Sequence, residues 1–306
     1  MLRFTLSRLV QAIVVVFVVF TLTFFMIRLA PGSPFATGEK QMPEEVMEMM
    51  KRSYGMNKPV YQQYFGAIGN YLQGDFMPSM KYEGRANAKI ILDAFPVSLT
   101  IGISALLIAL GIGLPAGIIA AVKRNTFLDY SAMSLALIGI CLPTFVMGPF
   151  LALYFGIKLE WFNVAGWFSP TDWVLPSVTM GLIYAAYIAR LTRGGMLEIL
   201  NQDFIRTARA KGVPGWKIVV FHALKGGLLP VVAFLGPALA GITTGSFIIE
   251  KIFNLPGLGQ HVINAVFNRD YTLTLATVVF YTSLLVAVNF LTDVLIAWLN
   301  PKVRLA

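Results

Sequence analysis

Few residues in this sequence have the types and spacing that catalysis or metal binding needs. Neither His222 nor His261 lies in an H-E-x-x-H pattern, and no G-x-S-x-G pattern occurs. The dipeptide Lys211-Gly212 reverses the order that the phosphate-binding loop G-x-x-x-x-G-K-[ST] requires. The single cysteine, Cys141, lies in an apolar run, so the chain alone can form neither a disulfide nor a thiolate metal site. We therefore expect no catalytic site, no metal site and no cofactor in this chain, and any ATP to be bound by another chain.

One acidic residue, Asp293, lies within an apolar run that is long enough to cross a membrane. Asn289 precedes it by one helical turn, so the two share a helix face. A carboxyl group inside a membrane is a functional candidate because its burial is costly. Asp293 lies shortly before Asn300-Pro301, however, where a helix cap or an interhelical hydrogen bond is the simpler interpretation. That interpretation disfavours a proton-coupled transporter.

The composition predicts a protein that crosses a membrane several times. The chain has 306 residues, of which 57% are hydrophobic and 13% charged, whereas an average soluble domain has about 25% charged residues. The net charge of +9 would suggest nucleic acid in a soluble protein. No basic stripe with interleaved aromatic residues remains once the charges are placed against a bilayer, so we expect no nucleic-acid partner.

Six apolar stretches qualify as spanning helices, which need roughly 20 residues, although the fourth is shorter than the others. They are residues 9–27, 94–122, 130–157, 173–189, 226–249 and 271–299. The first is uncharged over 19 residues, which is longer than the apolar part of a signal peptide, so we expect it to be retained. Since six is an even number, both termini should lie on one side of the membrane.

Basic residues indicate which side is cytoplasmic, because Lys and Arg in short loops stay in the cytoplasm. Thirteen basic and three acidic residues share a side with both termini, against ten basic and eleven acidic on the other. We therefore predict a bacterial inner-membrane protein with cytoplasmic termini. Its expected parts are residues 1–30 (tail and first helix), an extracytoplasmic segment 31–93, and a five-helix core 94–306 with a cytoplasmic loop 190–225.

Within the extracytoplasmic segment, acidic residues precede basic ones over a short stretch. Glu44 and Glu45 come first, and Lys51 and Arg52 follow. This order suits a helix dipole, so a short helix is expected here. In the membrane core, the G-x-x-x-G spacing at 113–117 predicts close helix packing. Pro143 and Pro176 are candidate kinks in the third and fourth spans.

The sequence 203–217, DFIRTARAKGVPGWK, is a basic strip between two apolar segments. Asp203 is the expected N-cap of a short helix, Gly212 its C-terminal stop, and Pro214 part of the first turn of a second helix. Phe204 and Ala208 should share one face of the first helix. His222, further along the loop, is expected to be a packing residue.

Two interpretations of this strip remain open on spacing alone. Arg206 and Arg209 are neighbours on a face that Phe204 and Ala208 do not share, and small residues at Ala208, Ala210 and Gly212 would let another backbone approach. The strip could therefore dock on a cytosolic partner. Alternatively, it could be an interfacial loop whose basic residues bind anionic lipid head groups at about 1 kcal/mol each.

Motifs along almost the whole chain carry a family resemblance. The segments 206–212, 222–225 and 228–230 resemble the EAA loop of ABC-importer permeases in its peptide-transporter form. RLAPGSPF at 28–35, GDF at 74–76, FNLPGLG at 253–259, NRDY at 268–271 and NPK at 300–302 resemble the B-type subunit of oligopeptide and dipeptide permeases. Arg206-Thr207-Ala208 stands where the general loop has Glu-Ala-Ala, and Pro230 lies further from Gly212 than in that loop, which fits the peptide-transporter variant.

The resemblance implies an all-α polytopic membrane protein of the ABC type I importer permease fold, with six transmembrane helices and an extracytoplasmic insertion after helix 1. It implies a coupling helix that sits in a cleft of the ATP-binding subunit. The residues concerned are Phe204, Arg206, Thr207, Ala208, Arg209, Ala210, Lys211 and Gly212. The implied partners are a second homologous permease subunit, two ATP-binding subunits that hold ATP and Mg, an extracytoplasmic peptide-binding protein, and membrane lipid.

The expected function is uptake of oligopeptides that the binding protein delivers. Dipeptides, glutathione, nickel chelates and antimicrobial peptides are alternative cargo, and a secondary transporter or a membrane enzyme is disfavoured. Substrate-binding residues cannot be assigned from the sequence. The candidate contacts with the binding protein are Gly257, Gly259, His261, Asn268, Arg269 and Asp270.

Overall fold

The computed structural model describes residues 2–31, 34, 43–82 and 84–299, and within them the chain is helical. The α-helices are α1 Leu2–Leu29, α2 Glu44–Ser53, α3 Val60–Leu72, α4 Asn87–Val122, α5 Phe127–Cys141, α6 Thr144–Leu151, α7 Val174–Leu200, α8 Asp203–Ala210, α9 Gly215–Lys217, α10 Leu224–Gly227, α11 Leu229–Ile252, α12 Leu258–Phe267 and α13 Tyr271–Leu299. Two π-helical segments, Ala152–Lys158 and Ile218–Ala223, continue α6 and α9. The described residues form no β-strand beyond an isolated bridge between Pro78 and Ala86.

Four helices are continuous and apolar enough to cross a membrane. They are Thr5–Leu29, Asn87–Val122, Val174–Leu200 and Tyr271–Val294. Two further spans are bent pairs, Phe127–Cys141 with Thr144–Lys158 and Gly215–Gly227 with Leu229–Leu239. The total is therefore up to six spans, in agreement with the six apolar stretches of the sequence.

The third span differs from the single stretch 130–157 that the apolar run predicts. Its two halves meet at an angle of 103°. Leu142 has an extended backbone (ψ 117°) and Pro143 is the N-cap of α6, because proline has no N–H and disfavours helical geometry in the residue before it. Pro176, by contrast, lies in the first turn of α7 and does not break that helix. Backbone N–H groups in the first turn have no acceptor within the helix, so the N–H that proline lacks is not needed there.

The helix of the fourth span is longer than the predicted stretch 173–189, and an ion pair near its C-terminal end joins it to α5. Helix α7 continues to Leu200, and its Arg193 binds the buried carboxylate of Asp129 at the start of α5. Nε of Arg193 lies 2.6 Å from Oδ1, and Nη2 lies 2.8 Å from Oδ2. This bidentate pair fixes α5 against α7.

Helices α4 and α7 form the most extensive helix pair. A Cβ on Gly113 would lie 2.7 Å from the carbonyl oxygen of Ala185, and one on Gly117 would lie 2.5 Å from that of Ala189. The backbones can approach this closely only because these positions lack side chains, so the close packing predicted from the G-x-x-x-G spacing is confirmed.

Helix α3 packs against the ends of α1 and α13. Phe20 and Phe24 of α1 form a buried cluster with Ala67 of α3 and with Leu275 of α13. Arg28 donates two hydrogen bonds to Oε1 of Gln63, at 3.2 and 3.1 Å. Helix α2 has the predicted order of acidic residues in its first turn and basic residues in its last.

Asp293 forms an interhelical contact, as the simpler interpretation predicts. Its Oδ2 lies 3.3 Å from Nε of Arg8. Since both side chains are partly exposed, the pair links α1 to α13 with little net contribution to stability.

Candidate functional site

The short helix α8 is held by two buried side chains. Ile205 is fully buried and Ala208 nearly so. They pack with Met196 at the end of α7, with Ile218 and with Ala223 of the following π-helical segment. Burying one isoleucine contributes about 1.5–3 kcal/mol, so this contact anchors a helix that is too short to be stable alone.

The turn after α8 has the geometry of a Schellman motif. The N–H of Gly212 donates to the carbonyl of Arg209 at 2.9 Å, and the N–H of Val213 donates to that of Ala208 at 3.2 Å. Gly212 has φ +76°, a conformation that other residues adopt only at a cost. The two short helices joined by a tight turn, and Gly212 as the stop between them, are therefore confirmed.

Two details of the predicted strip are wrong. The N-cap of α8 is Gln202, and Asp203 is the first helical residue, whose Oδ1 binds Arg206 at 3.1 Å instead of capping the helix. Phe204 does not share the buried face with Ala208. It is 49% exposed, because the face that packs on the protein runs through Ile205 and Ala208, three residues apart.

Besides Phe204, six of the eight predicted coupling residues are exposed. These are Arg206, Thr207, Arg209, Ala210, Lys211 and Gly212. A Cβ on Gly212 would meet no atom of the described residues within 4 Å, so the space beside this residue is open to a partner. The exposed side of α8 thus offers an aromatic ring, basic groups and an approachable backbone.

Arg209 faces a groove on α8, and His222 lies elsewhere than expected. Arg209 lines a groove together with Lys123 and Arg124, which lie in the short connection between α4 and α5. His222 is exposed and its Nδ1 lies 3.3 Å from the carbonyl oxygen of Lys217, so its prediction as a packing residue is wrong. An exposed position follows from the register of the π-helical segment, which buries Ile218 and Ala223.

At the opposite end of the helices, Asp270 joins the segment after α3 to α13. Its carboxylate is fully buried. It accepts a short hydrogen bond from the hydroxyl of Ser79 and one from the N–H of Met80 at 3.2 Å. It also caps α13, since the N–H of Leu273 donates to it at 3.0 Å.

Glu250 at the end of α11 makes a similar connection. This buried carboxylate accepts a hydrogen bond from the hydroxyl of Ser98 on α4 at 2.7 Å and one from the N–H of Gly259 at 2.8 Å. The N–H of Leu258 donates to Ser98 at 2.9 Å. A negative charge at the N-terminus of α12 is favourable, so Glu250 fixes the sequence NLPGLG between three helices.

These contacts revise the candidate residues for a binding-protein contact. Gly257, Gly259 and Asp270 are buried. A Cβ at either glycine would lie within 2.8 Å of Glu250, so both serve the internal network. Asn268 and Arg269 are exposed, and they remain candidates.

His261, the sixth candidate, is half-buried. Its ring stacks edge-on against Tyr82 at 5.9 Å, and burial together with the charge of Arg85 lowers its pKa. At neutral pH the ring is therefore uncharged. Among the described residues, no three His, Cys, Asp or Glu side chains form a metal-binding group.

An exposed aromatic tip lies in the loop before α7. Phe168 is 90% exposed, and its N–H and that of Ser169 both donate to Oδ2 of Asp172, while Asn163 donates to Oδ1 at 2.8 Å. Burial raises the pKa of Asp172, but these three hydrogen bonds outweigh it and lower the pKa. Because the pKa is lowered, the charged Asp172 carboxylate stabilises this loop fully above the ordinary carboxyl pKa of about 3.9. This stabilisation is lost as the pH falls through the lower pKa of the folded state.

We expect Asp172→Asn to free this tip at neutral pH. Amide hydrogen exchange at Phe168 and Ser169 should accelerate about tenfold or more, since hydrogen bonds to a charged group contribute about 1.5–3 kcal/mol each. The natural chain should show the same acceleration only in acid, after correction for intrinsic exchange. The control is Asp75→Asn, which removes an exposed carboxylate that accepts a hydrogen bond from the N–H of Met77. Equal protection of Phe168 and Ser169 in Asp172→Asn and in the natural chain would show that the Asp172 carboxylate does not hold this loop.

Comparison with known proteins identifies the family. The family described as binding-protein-dependent transport system inner membrane component matches residues 113–305. The N-terminal region of such membrane components matches residues 1–101. The chain belongs to this family. It is therefore a multi-pass inner-membrane permease subunit and a transport component.

Relatives of this permease are similar along their whole length. The oligopeptide transport system permease protein OppB of Escherichia coli strain K12 is 45% identical over 306 residues, which cover 99% of this chain and 100% of the relative. The dipeptide transport system permease protein DppB of Bacillus subtilis strain 168 is 40% identical over 305 residues, covering 100% and 99%. The similarity thus includes the segment after α1 as well as the helical core.

Solved structures support the type I importer permease fold. An inward-facing MetNI methionine ABC transporter matches with a TM-score of 0.61 and 19% identity, over 69% of this permease and 96% of that chain. An amino acid ABC transporter crystallised with histidines matches with a TM-score of 0.55 and 13% identity, over 68% and 93%. At these identities the likeness concerns the fold alone.

Proposed function

We propose that this permease subunit forms part of the path by which an ATP-driven importer takes up oligopeptides. The observation that carries the proposal is the 45% identity to OppB over 306 residues. The lower identity to DppB favours oligopeptides over dipeptides. Glutathione, nickel chelates and antimicrobial peptides are the other cargo to test.

The proposed complex contains a second homologous permease subunit, two ATP-binding subunits and an extracytoplasmic peptide-binding protein. ATP and Mg are bound by the ATP-binding subunits. Both termini and α8 lie in the cytoplasm, and α2 and α3 lie outside. The excess of basic residues on the α8 side supports this orientation.

We place the ATP-binding subunit on the exposed side of α8. Phe204 is the central contact, with Arg206 and Thr207 beside it and Gly212 offering open backbone. The opposite side of α8 packs on α7 through Ile205 and Met196. A displacement of α8 is therefore transmitted to α7, which is a spanning helix. The spans adopt two arrangements, and nucleotide binding shifts the equilibrium between them.

The binding protein is placed on the outer end of α12. Asn268 and Arg269 are exposed there, and the turn that carries them is held by Asp270. Cargo selectivity resides largely in the binding protein, so no residue of this chain is assigned to peptide binding.

Peptide uptake by cells tests the proposed function. Deletion of this subunit, with its partners retained, should abolish ATP-dependent uptake of a labelled tetrapeptide, and the natural chain on a plasmid should restore it. Unlabelled tetrapeptide should compete, while glutathione and nickel–histidine should not. Uptake that persists in the deletion strain, or competition by glutathione alone, would contradict the oligopeptide assignment.

A further inference from the structure

A groove lies between α8–α9 and the ends of α4, α5 and α7. Its volume is about 680 Å³. Apolar side chains form its walls, among them Ile119, Leu128 and Leu197. Lys123, Arg124 and Arg209 also line it. We call it the basic groove.

The positive charge of the basic groove exceeds the negative charge beside it in the described part of the chain. Asp129 interacts with the charge of Arg124, but its carboxylate is bound by Arg193. Among the described residues, no carboxylate lines the groove itself. None of the three cations belongs to the salt bridges that the described residues form. Like charges that converge on one cavity repel one another, and an anion in the cavity removes that repulsion. The groove therefore favours a ligand with a negative charge.

The rim of the basic groove has the residue types that are typical of protein surfaces in the lipid head-group region. Trp216 and Val220 line the groove and are 60% and 49% exposed, and Phe221, whose ring centroid lies 6.2 Å from that of Trp216, is 67% exposed. The ammonium of Lys217 lies 5.5 Å from the Trp216 ring. Exposed aromatic residues next to basic residues at the ends of spanning helices are typical of the head-group region.

We propose that the basic groove binds one anionic phospholipid of the cytoplasmic leaflet. The phosphate accepts hydrogen bonds from Arg124 and Arg209, whose guanidinium groups match its geometry, and Lys123 adds a third charge. The upper part of an acyl chain covers Ile119 and Leu128. A small soluble anion would leave this apolar wall in water, which is why the structure favours a lipid.

The bound lipid connects the docking helix to the spans. Arg209 belongs to α8, whereas Lys123 and Arg124 follow α4. One head group therefore bridges elements that are far apart in sequence. The two interpretations of the basic strip then apply to two sides of one helix: Phe204 lies on the side proposed to bind protein, and Arg209 faces lipid.

Fluorescence quenching by brominated lipids tests this site, independently of transport. The full chain is reconstituted in nanodiscs of phosphatidylcholine with increasing brominated phosphatidylglycerol or brominated phosphatidylcholine. The emission of Trp216 is obtained by subtracting the spectrum of Trp216→Phe from that of the natural chain. We expect the anionic lipid to quench it at about fivefold lower mole fraction, and this preference to weaken in high salt.

The double variant Lys123→Gln/Arg124→Gln should abolish this preference for the anionic lipid. Lys158→Gln/Lys251→Gln, which removes two exposed charges at the other end of the helices, should keep it. Equal quenching by both lipids, a preference that survives in the first double variant, or no quenching of Trp216 by either lipid would overturn the proposal. Displacement of phosphatidylglycerol by millimolar inorganic phosphate would also overturn it, since the site would then belong to a soluble anion.

Discussion

Replacing Gly117 with valine is expected to keep the chain from accumulating in the membrane. A Cβ at this position would lie 2.5 Å from the carbonyl oxygen of Ala189 and 2.5 Å from Cβ of Thr192. Neither atom can move away without shifting α7, because one is backbone and the other is adjacent to it. The two helices must therefore separate along their most extensive contact. Overpacking of this kind costs about 3 kcal/mol or more.

Such a loss should reduce the amount of folded chain several-fold or more. The measurement is the level of membrane-integrated protein together with its thermal stability in detergent. Gly111→Ala is the matched control on the same helix, since a Cβ there meets no atom within 4 Å. Normal abundance and stability of Gly117→Val would show that α4 and α7 do not meet at this point.

Replacing Phe204 with aspartate is expected to abolish peptide uptake while leaving the chain folded. Phe204 is half exposed and lies outside the buried cluster that anchors α8, so its loss should not disturb the spans. An aromatic side chain at the centre of a protein interface contributes about 2 kcal/mol or more to binding, and the introduced carboxylate must also be desolvated. Binding of the ATP-binding subunit should weaken at least about 30-fold.

Ile205→Asp should abolish uptake by another route. A carboxylate at this buried position would need to be ionised among Met196, Ile218 and Ala223, which is strongly unfavourable. In the purified chain without the ATP-binding subunits, helix α8 of this variant should detach and become cleavable by trypsin at Arg206, whereas Phe204→Asp should leave that site as protected as in the natural chain. Equal protection of Arg206 in both variants and the natural chain would refute the anchoring role of Ile205.

The spans and the turn of α8 could be predicted from local sequence. Long uncharged runs fix the membrane segments, and Gly212 ends α8 because its conformation is local. The burial of Ile205 could not be decided, since Phe204 and Ile205 each lie one turn from Ala208, and which of them faces the protein depends on α7. The bend at Pro143 had a local signal, but its angle is set by the neighbouring helices.

The polar connections at the other end depend on contacts between distant parts of the chain. Ser79 and Asp270 are 191 residues apart, and Ser98 and Glu250 are 152 apart. Nothing in either local sequence indicates its partner. For the same reason the sequence could not separate buried Asp270 from exposed Arg269, or bring Arg209 to Lys123.

Co-purification tests most directly the claim that α8 is the docking surface for the ATP-binding subunit. The tagged chain is expressed with its proposed partners, extracted in mild detergent, and compared with Phe204→Asp and with Gln202→Glu, which adds one negative charge at the exposed N-cap of α8. We predict that the natural chain and Gln202→Glu retain the second permease and the ATP-binding subunits, and that Phe204→Asp retains the permease alone. Recovery of the ATP-binding subunits with Phe204→Asp at the natural level would contradict the account.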